Sequence, residues 1–175
     1  MRGFDLRLLV EHMEWADAAL WQAVLATPQA ASDARLRQLL HHMALVQWSY
    51  LGFWQEAPRS VPALESFPDL AALREWARAT HTEIARFVGT APDPGRLVPI
   101  PWEAELAARF GVARPASLGD TLLQVSSHST YHRGQVNARI RELGGEPAEV
   151  DYIIWIWAGR PEAAWTAPGV AAGEP

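Results

Sequence analysis

The segment SLGDTLLQVSSHSTYHRGQVNARIRELGG, residues 117–145, decides the fold class. At 100° per residue its apolar side chains fall on one side of an α-helix. Ser117 precedes this pattern with Asp120 three residues later, a relative of the capping box, and Gly144 and Gly145 end it. The segment therefore predicts a long amphipathic helix whose apolar stripe consists of Leu118, Leu122, Val125, Val136, Ile140 and Leu143.

Three further helices are predicted at residues 4–26, 33–57 and 67–90, with Ser32 or Asp33 as the N-cap of the second. The core face of the first is predicted at Leu8, Trp15, Ala19 and Ala23. Residues 90–115 hold five prolines and have room for a short extended piece and a helical turn. This pattern predicts an all-α protein, a four-helix bundle with a long crossover between helices three and four.

A single domain is expected over residues 1–160, because 175 residues match the size of one ordinary domain. Residues 161–175 are rich in alanine, proline and glycine and are expected to form a flexible tail. The start of the chain lacks a signal-peptide pattern, and its longest apolar run is too short to span a bilayer. We therefore expect a cytoplasmic protein that does not interact with membranes.

Composition narrows the chemistry further. All 15 basic residues are arginines, scattered among 20 acidic residues, with a net charge of −5, so nucleic acid is not an expected partner. The chain contains no cysteine, so any metal site must use nitrogen and oxygen ligands. Thiol chemistry would require a thiol from outside the protein.

His128 and His132 lie one turn apart in the fourth helix, at the edge of its apolar stripe. Histidines at this spacing can bind one metal ion, but ordinary boundary positions produce the same pattern. A third ligand from another helix would favour the metal site. His42 is the better candidate because it lies at the edge of the core stripe of helix two, whereas His41 points away and is expected to be solvated or packed.

Two other histidines have different expectations. His12 lies within the apolar stripe of helix one, where it could be a fourth ligand, a pocket acid or base, or a buried core residue. We favour the pocket or the core over the ligand. His81 lies on the flank of helix three, and no role is assigned to it.

The order HHMALVQW, residues 41–48, followed by HSTYHRGQV, residues 128–136, resembles the DinB family of metal-dependent enzymes. The family pattern is a histidine in the second helix and H-x-x-x-H-R-G-Q in the fourth, matched by His42 and by residues 128–135. The resemblance implies a four-helix bundle, a divalent metal held by His42, His128 and His132, and a homodimer. Zinc or nickel is expected ahead of iron, manganese or cobalt, although three imidazoles accept all of them.

The remaining residues of the motif have expected roles beside the ion. Arg133 is expected to pair with a carboxylate between helices or subunits, and Gly134 to let a neighbouring helix approach closely. Gln135 is a possible pocket residue that orients a ligand or binds substrate, or a simple boundary residue. The resemblance itself identifies no catalytic residue.

Three functions compete at this stage. Relatives in the family use small thiols such as bacillithiol or mycothiol, which implies a metal-dependent transferase that activates an external low-molecular-weight thiol towards a small-molecule electrophile. A metal-dependent hydrolase is the alternative and would need an acid or base such as Glu11, Glu14, His12 or Asp17. The third is a non-catalytic, stress-related metal-binding module in which the ion stabilises the fold.

Overall fold

The computed structural model describes residues 5–99, 103–111 and 114–165, and this part of the chain is mostly helical. Four long helices dominate, and the all-α expectation is confirmed. The elements in chain order are α1 (Leu6–Ala26), a 3-10 turn (Pro28–Ser32), α2 (Ala34–Trp54), a second 3-10 turn (Leu64–Ser66), α3 (Leu70–Gly89), β1 (Leu97–Val98), α4 (Glu103–Phe110), β2 (Ala116–Ser117), α5 (Leu118–Glu142) and α6 (Tyr152–Trp157).

Side-chain caps explain where the long helices begin. Asp33 accepts a hydrogen bond from the backbone N–H of Leu36 at 2.7 Å, which confirms it as the N-cap of α2. Ser117 and Asp120 form a complete capping box at the start of α5, as the sequence predicts. Asp5 and Asp69 cap α1 and α3 in the same way.

Each of α1 and α2 packs against both α3 and α5. Asp33, just before α2, forms an ion pair with Arg139 near the end of α5. At the opposite ends of these helices, the indole N–H of Trp54 donates to Thr121 Oγ1 at 3.0 Å. α2 and α5 are therefore antiparallel.

α2 and α3 run in the same direction, because His41 packs on Trp76 near the start of both helices while Trp54 stacks on Phe87 near their ends. Residues 55–69 must therefore return along the length of the helices. The sequence did not predict this return between α2 and α3. Helical periodicity gives the length of an element but not its direction, and residues 90–117 are long because they include β1, α4 and β2, with β1 paired antiparallel to β2.

The core consists of two apolar clusters, one toward each end of the long helices. The first includes Trp21, Leu40, Leu73 and Val136, and the second includes Trp54, Ile84 and Val125. The buried face of α1 differs from the predicted one. Its buried apolar residues are Val10, Met13, Ala16, Ala18, Leu20, Trp21 and Val24, whereas Leu8, Trp15, Ala19 and Ala23 are half-buried.

The chain after α5 lies against α1. The Asn137 side-chain amide donates to the carbonyl of Ala148 and accepts from its N–H, at 2.8 and 3.1 Å, and Trp155 of α6 is 1% exposed. Residues 161–165 of the predicted tail also pack, since Trp165 is 7% exposed and its indole N–H donates to Glu14. Residues 166–175 lie outside the described residues. Within residues 5–99, 103–111 and 114–165, no helix is long and apolar enough to cross a membrane.

Candidate metal centre

His42 from α2 and His128 and His132 from α5 converge at the seam between these two helices. Their candidate ligand atoms all lie within 4.8 Å of one another, and Nε2 of His42 is 3.2 Å from Nε2 of His128. Two nitrogens bound tetrahedrally at about 2.0–2.1 Å from one ion would be roughly 3.3 Å apart. The three side chains singled out in the sequence are thus brought together at a spacing that suits one metal ion.

The electrostatics of the cluster favour neutral imidazoles. Burial, followed by the neighbouring rings of His132 and His42, lowers the pKa of His128 to about 4. The pKa of His42 is lowered by the same kinds of cause, burial first and then the rings of His132 and His41. A neutral imidazole offers a lone pair to a metal ion, whereas a protonated one does not.

Gln135 fixes the orientation of the third ring. Nδ1 of His132 donates to the Gln135 side-chain oxygen at 2.8 Å, so Nε2 of His132 keeps its lone pair. Tyr131 packs edge-on against the same ring with centroids 5.2 Å apart, and its own side chain is 65% exposed. His42 is exposed as well, so a ligand from solvent can reach the cluster.

Each of the other histidines has contacts of its own. Nε2 of His12 is 3.0 Å from the carbonyl of Val150, and its ring packs on Trp15, Tyr152 and Trp155. Burial, then the charge of Arg133, lowers the pKa of His12. His12 therefore packs between α1 and the chain after α5, and these contacts fit the core alternative.

His41 bonds through Nε2 to the carbonyl of Pro62 at 2.9 Å and packs on Phe67 and Trp76. It is a packing residue, one of the two expectations for it. The remaining histidine, His81, is completely buried, although the sequence assigned it no role.

A family model for the DinB family matches residues 3–163, nearly the whole chain. The chain belongs to the DinB family. No curated protein matches it. Three residues of the H-x-x-x-H-R-G-Q pattern of this DinB protein, His128, His132 and Gln135, thus lie at the histidine cluster together with His42 from α2.

A second group of polar residues lies beneath the cluster, and sequence reasoning predicted only that Arg133 would have a carboxylate partner. Asp17 of α1, 1% exposed, accepts from Arg133 of α5 at 2.7 Å through Oδ1. Its Oδ2 is 2.8 Å from Nε2 of His81 and 2.7 Å from the amide nitrogen of Gln47, which also donates to Ser129 Oγ at 3.0 Å. We call these five residues the polar layer.

The polar layer explains one residue of the family motif, Arg133. Arg133 is completely buried and pairs with Asp17, which confirms the expectation of a carboxylate partner between helices. Burial alone would raise the pKa of Asp17, but the charge of Arg133 and hydrogen bonds from His81 and Gln47 outweigh it and lower that pKa to about 2. Asp17 is therefore an ionised structural partner at neutral pH and a poor candidate for a general base.

Gly134 does not have the expected role within this chain. A Cβ built on it would meet nothing within 4 Å among the described residues, so no neighbouring helix of the chain needs its missing side chain. The position is exposed and faces away from the core. The sequence pattern marks Gly134 as unusual in a helix interior, but it does not reveal which side of the helix is the crowded one.

Proposed function

We propose that this DinB protein binds one divalent metal ion through His42, His128 and His132 and activates a small external thiol for transfer to an electrophile. The observation that carries the proposal is the convergence of three imidazoles, two of them with Nε2 atoms 3.2 Å apart. A divalent ion bound there supplies Lewis acidity that lowers the pKa of a thiol.

Several features of the chain support this chemistry. An imidazole that binds a metal ion carries no net charge, so three such ligands leave the full charge of the ion available to an anionic thiolate. The exposed side chain of His42 leaves an approach from solvent, and the absence of cysteine means that the thiol is a separate molecule. Gln135 holds His132 in the tautomer that directs Nε2 towards the other two rings.

The hydrolase alternative receives less support from the acid and base candidates. The contacts of His12, Glu14 and Asp17 are with Val150, Trp165 and Arg133, and Glu11 lines a cleft beside Trp155. None of these contacts is with the three histidines. The non-catalytic module is disfavoured because an ion that only stabilises a fold is usually enclosed by four protein ligands, whereas His42 is exposed.

The same proposal covers the fold, the assembly and the cellular location of the protein. We take α1, α2, α3 and α5 as a four-helix bundle forming one domain over residues 1–160. Exposed Tyr131, Ile153 and Trp157, of which Trp157 is 74% exposed, support a homodimer. A cytoplasmic location, a role in stress response, and zinc or nickel as the ion complete the proposal.

Metal content tests the first half of the proposal. Protein purified without a histidine tag should contain about one divalent ion per chain by elemental analysis. His42→Ala and His128→Ala should reduce this to near zero. His41→Ala is the matched control, because it removes the adjacent histidine that packs on Phe67 and Trp76. Equal metal content in all four proteins would overturn the site.

A thiol panel tests the second half. The metal-loaded protein is incubated with bacillithiol, mycothiol, glutathione or coenzyme A and a chlorodinitrobenzene-type electrophile, and thioether formation is followed. We expect turnover with at least one thiol and none in the His128→Ala protein. Hydrolysis of esters or amides without any thiol transfer would favour the hydrolase, and inactivity in both assays would favour the binding module.

A further inference from the structure

The polar layer separates the two apolar clusters in each of the four long helices. Along α5, Val125 belongs to one cluster and Val136 to the other, with Ser129 and Arg133 between them. The other helices repeat this order: Asp17 lies between the clusters in α1, Gln47 in α2, and His81, next to buried Thr80, in α3. The layer therefore lies partway along the core and connects all four helices.

The α5 residues of the layer are the immediate neighbours of two metal-ligand candidates. Ser129 follows His128 and Arg133 follows His132, so each pair differs by about 100° around the helix axis and about 1.5 Å along it. Because Ser129 and Arg133 point to the centre of the core, His128 and His132 must both point to the same side of it. That side is the seam with α2.

The α2 residue of the layer sets the position of the third candidate. Gln47 donates to Ser129 of α5 and to Asp17 of α1 through the same amide nitrogen. His42 lies five residues before Gln47, about 7.5 Å along the helix. The contact between Gln47 and Ser129 thus fixes the height at which His42 faces α5.

Apolar contacts would leave this alignment less well defined. Side chains such as leucine and valine repack with neighbours of similar volume, whereas a buried donor without its acceptor is costly. Each of the five side chains is at least 99% buried and has a hydrogen-bond partner within the layer. A shift of α5 along α2 by one turn would break these hydrogen bonds, whereas apolar side chains could repack with new neighbours.

We propose that the polar layer is the positioning device of the metal centre: Gln47–Ser129 and Asp17–Arg133 set the rotation and height of α5 against α2 and α1, so that the three histidines converge. This inference rests on the proposed metal site. Gln47, Ser129, Asp17 and Arg133 act through the histidines and are positioning residues.

The test uses a variant that removes the α2–α5 bond without leaving an unpaired polar group. Gln47→Met combined with Ser129→Ala replaces both partners by apolar side chains, a change that is often close to neutral for stability. Asp17 keeps its bonds to Arg133 and His81. We expect urea unfolding near that of the wild type, but affinity for Zn²⁺ or Co²⁺, measured by chelator competition, about tenfold to 100-fold weaker.

Arg139→Gln is the matched control. This change also breaks a link between α5 and the start of α2, the ion pair between Arg139 and Asp33. That ion pair is partly exposed and lies outside the polar layer. Its metal affinity should remain within about twofold of the wild type. Ser129→Ala alone serves as the milder variant if the double substitution does not fold.

A second measurement needs no metal. The chain has no cysteine, so Gln38→Cys and Ala138→Cys place two spin labels on exposed positions of α2 and α5. We expect one narrow distance distribution in the metal-free wild-type background and a broadened or shifted one when Gln47→Met and Ser129→Ala are added. The Arg139→Gln background should leave the distribution narrow.

The outcomes separate the two proposals. A wild-type protein that takes up neither Zn²⁺ nor Co²⁺ would overturn the proposed function, and with it the metal-centre role of the layer. A wild-type protein that binds metal, with unchanged affinity and unchanged label distances in the double variant, would overturn only the positioning role. A loss of affinity equal to that of Arg139→Gln would also count against it.

Discussion

Gln135 controls which nitrogen of His132 faces the other two histidines. With its Nδ1–H held by the amide oxygen at 2.8 Å, the ring presents Nε2 to the cluster. Gln135→Leu should lower metal affinity about tenfold to 100-fold, because the ring loses the bond that fixes its tautomer and orientation. Chelator competition on folded protein measures the change.

Two variants make this residue-scale prediction specific. Gln135→Glu retains an acceptor for Nδ1–H and should retain affinity. Gln124→Leu changes an exposed glutamine one turn before His128 and should have little effect. If Gln135→Leu binds metal as tightly as Gln124→Leu, the amide does not orient the ring.

At the same scale, the sequence identified His42 because a polar residue at the edge of an apolar stripe can face a partner helix. It did not identify Asp17 as a buried residue, because the predicted core face of α1 was rotated away from the real one. α1 has apolar residues on almost every side, so its periodicity defines the buried face poorly.

The signal that was available lies in α5, where Ser129 and Arg133 occupy core positions between Val125 and Val136. A buried arginine requires an acidic partner, and that requirement points to a carboxylate on a neighbouring helix.

The helices themselves were largely predictable, and their arrangement was not. Caps at Asp33 and Ser117 are local chemistry, so the starts of α2 and α5 follow from a few adjacent residues. The direction of α3 depends on contacts between residues far apart, such as His41 with Trp76. The sequence therefore did not predict that residues 55–69 return along the length of the helices.

Within α5, Gly134 reduces the stability of an otherwise regular helix. Glycine in a helix interior costs about 1 kcal/mol relative to alanine, and a Cβ here would meet nothing within 4 Å in the described part of the chain. Gly134→Ala should therefore raise the free energy of unfolding by roughly 0.5–1 kcal/mol. Urea denaturation measures this change. A destabilised protein, or a changed oligomeric state, would mean that a second molecule packs closely at this position.

At the scale of the whole molecule, titratable groups with shifted pKa values make stability depend on pH in two separate windows. The pKa values of His12, His42 and His128 are lowered below 6.5, that of His128 to about 4. As the pH falls below 6.5 the unfolded chain binds protons at these histidines before the folded chain does, so metal-free protein loses stability in this upper window.

Asp17 governs the lower window. Its folded-state pKa of about 2 lies below the ordinary value of 3.8, so its contribution is complete above pH 3.8 and is lost as the pH falls towards 2. The difference corresponds to roughly 2 kcal/mol of unfolding free energy. Urea midpoints of metal-free protein between pH 5 and pH 2.5 should show this loss. Asp17→Asn should be less stable at pH 5 and show a smaller loss, whereas Asp93→Asn, which changes an exposed turn carboxylate, should retain the full loss. Parallel pH profiles for Asp17→Asn and the wild type would show that the carboxylate of Asp17 is not held ionised by Arg133.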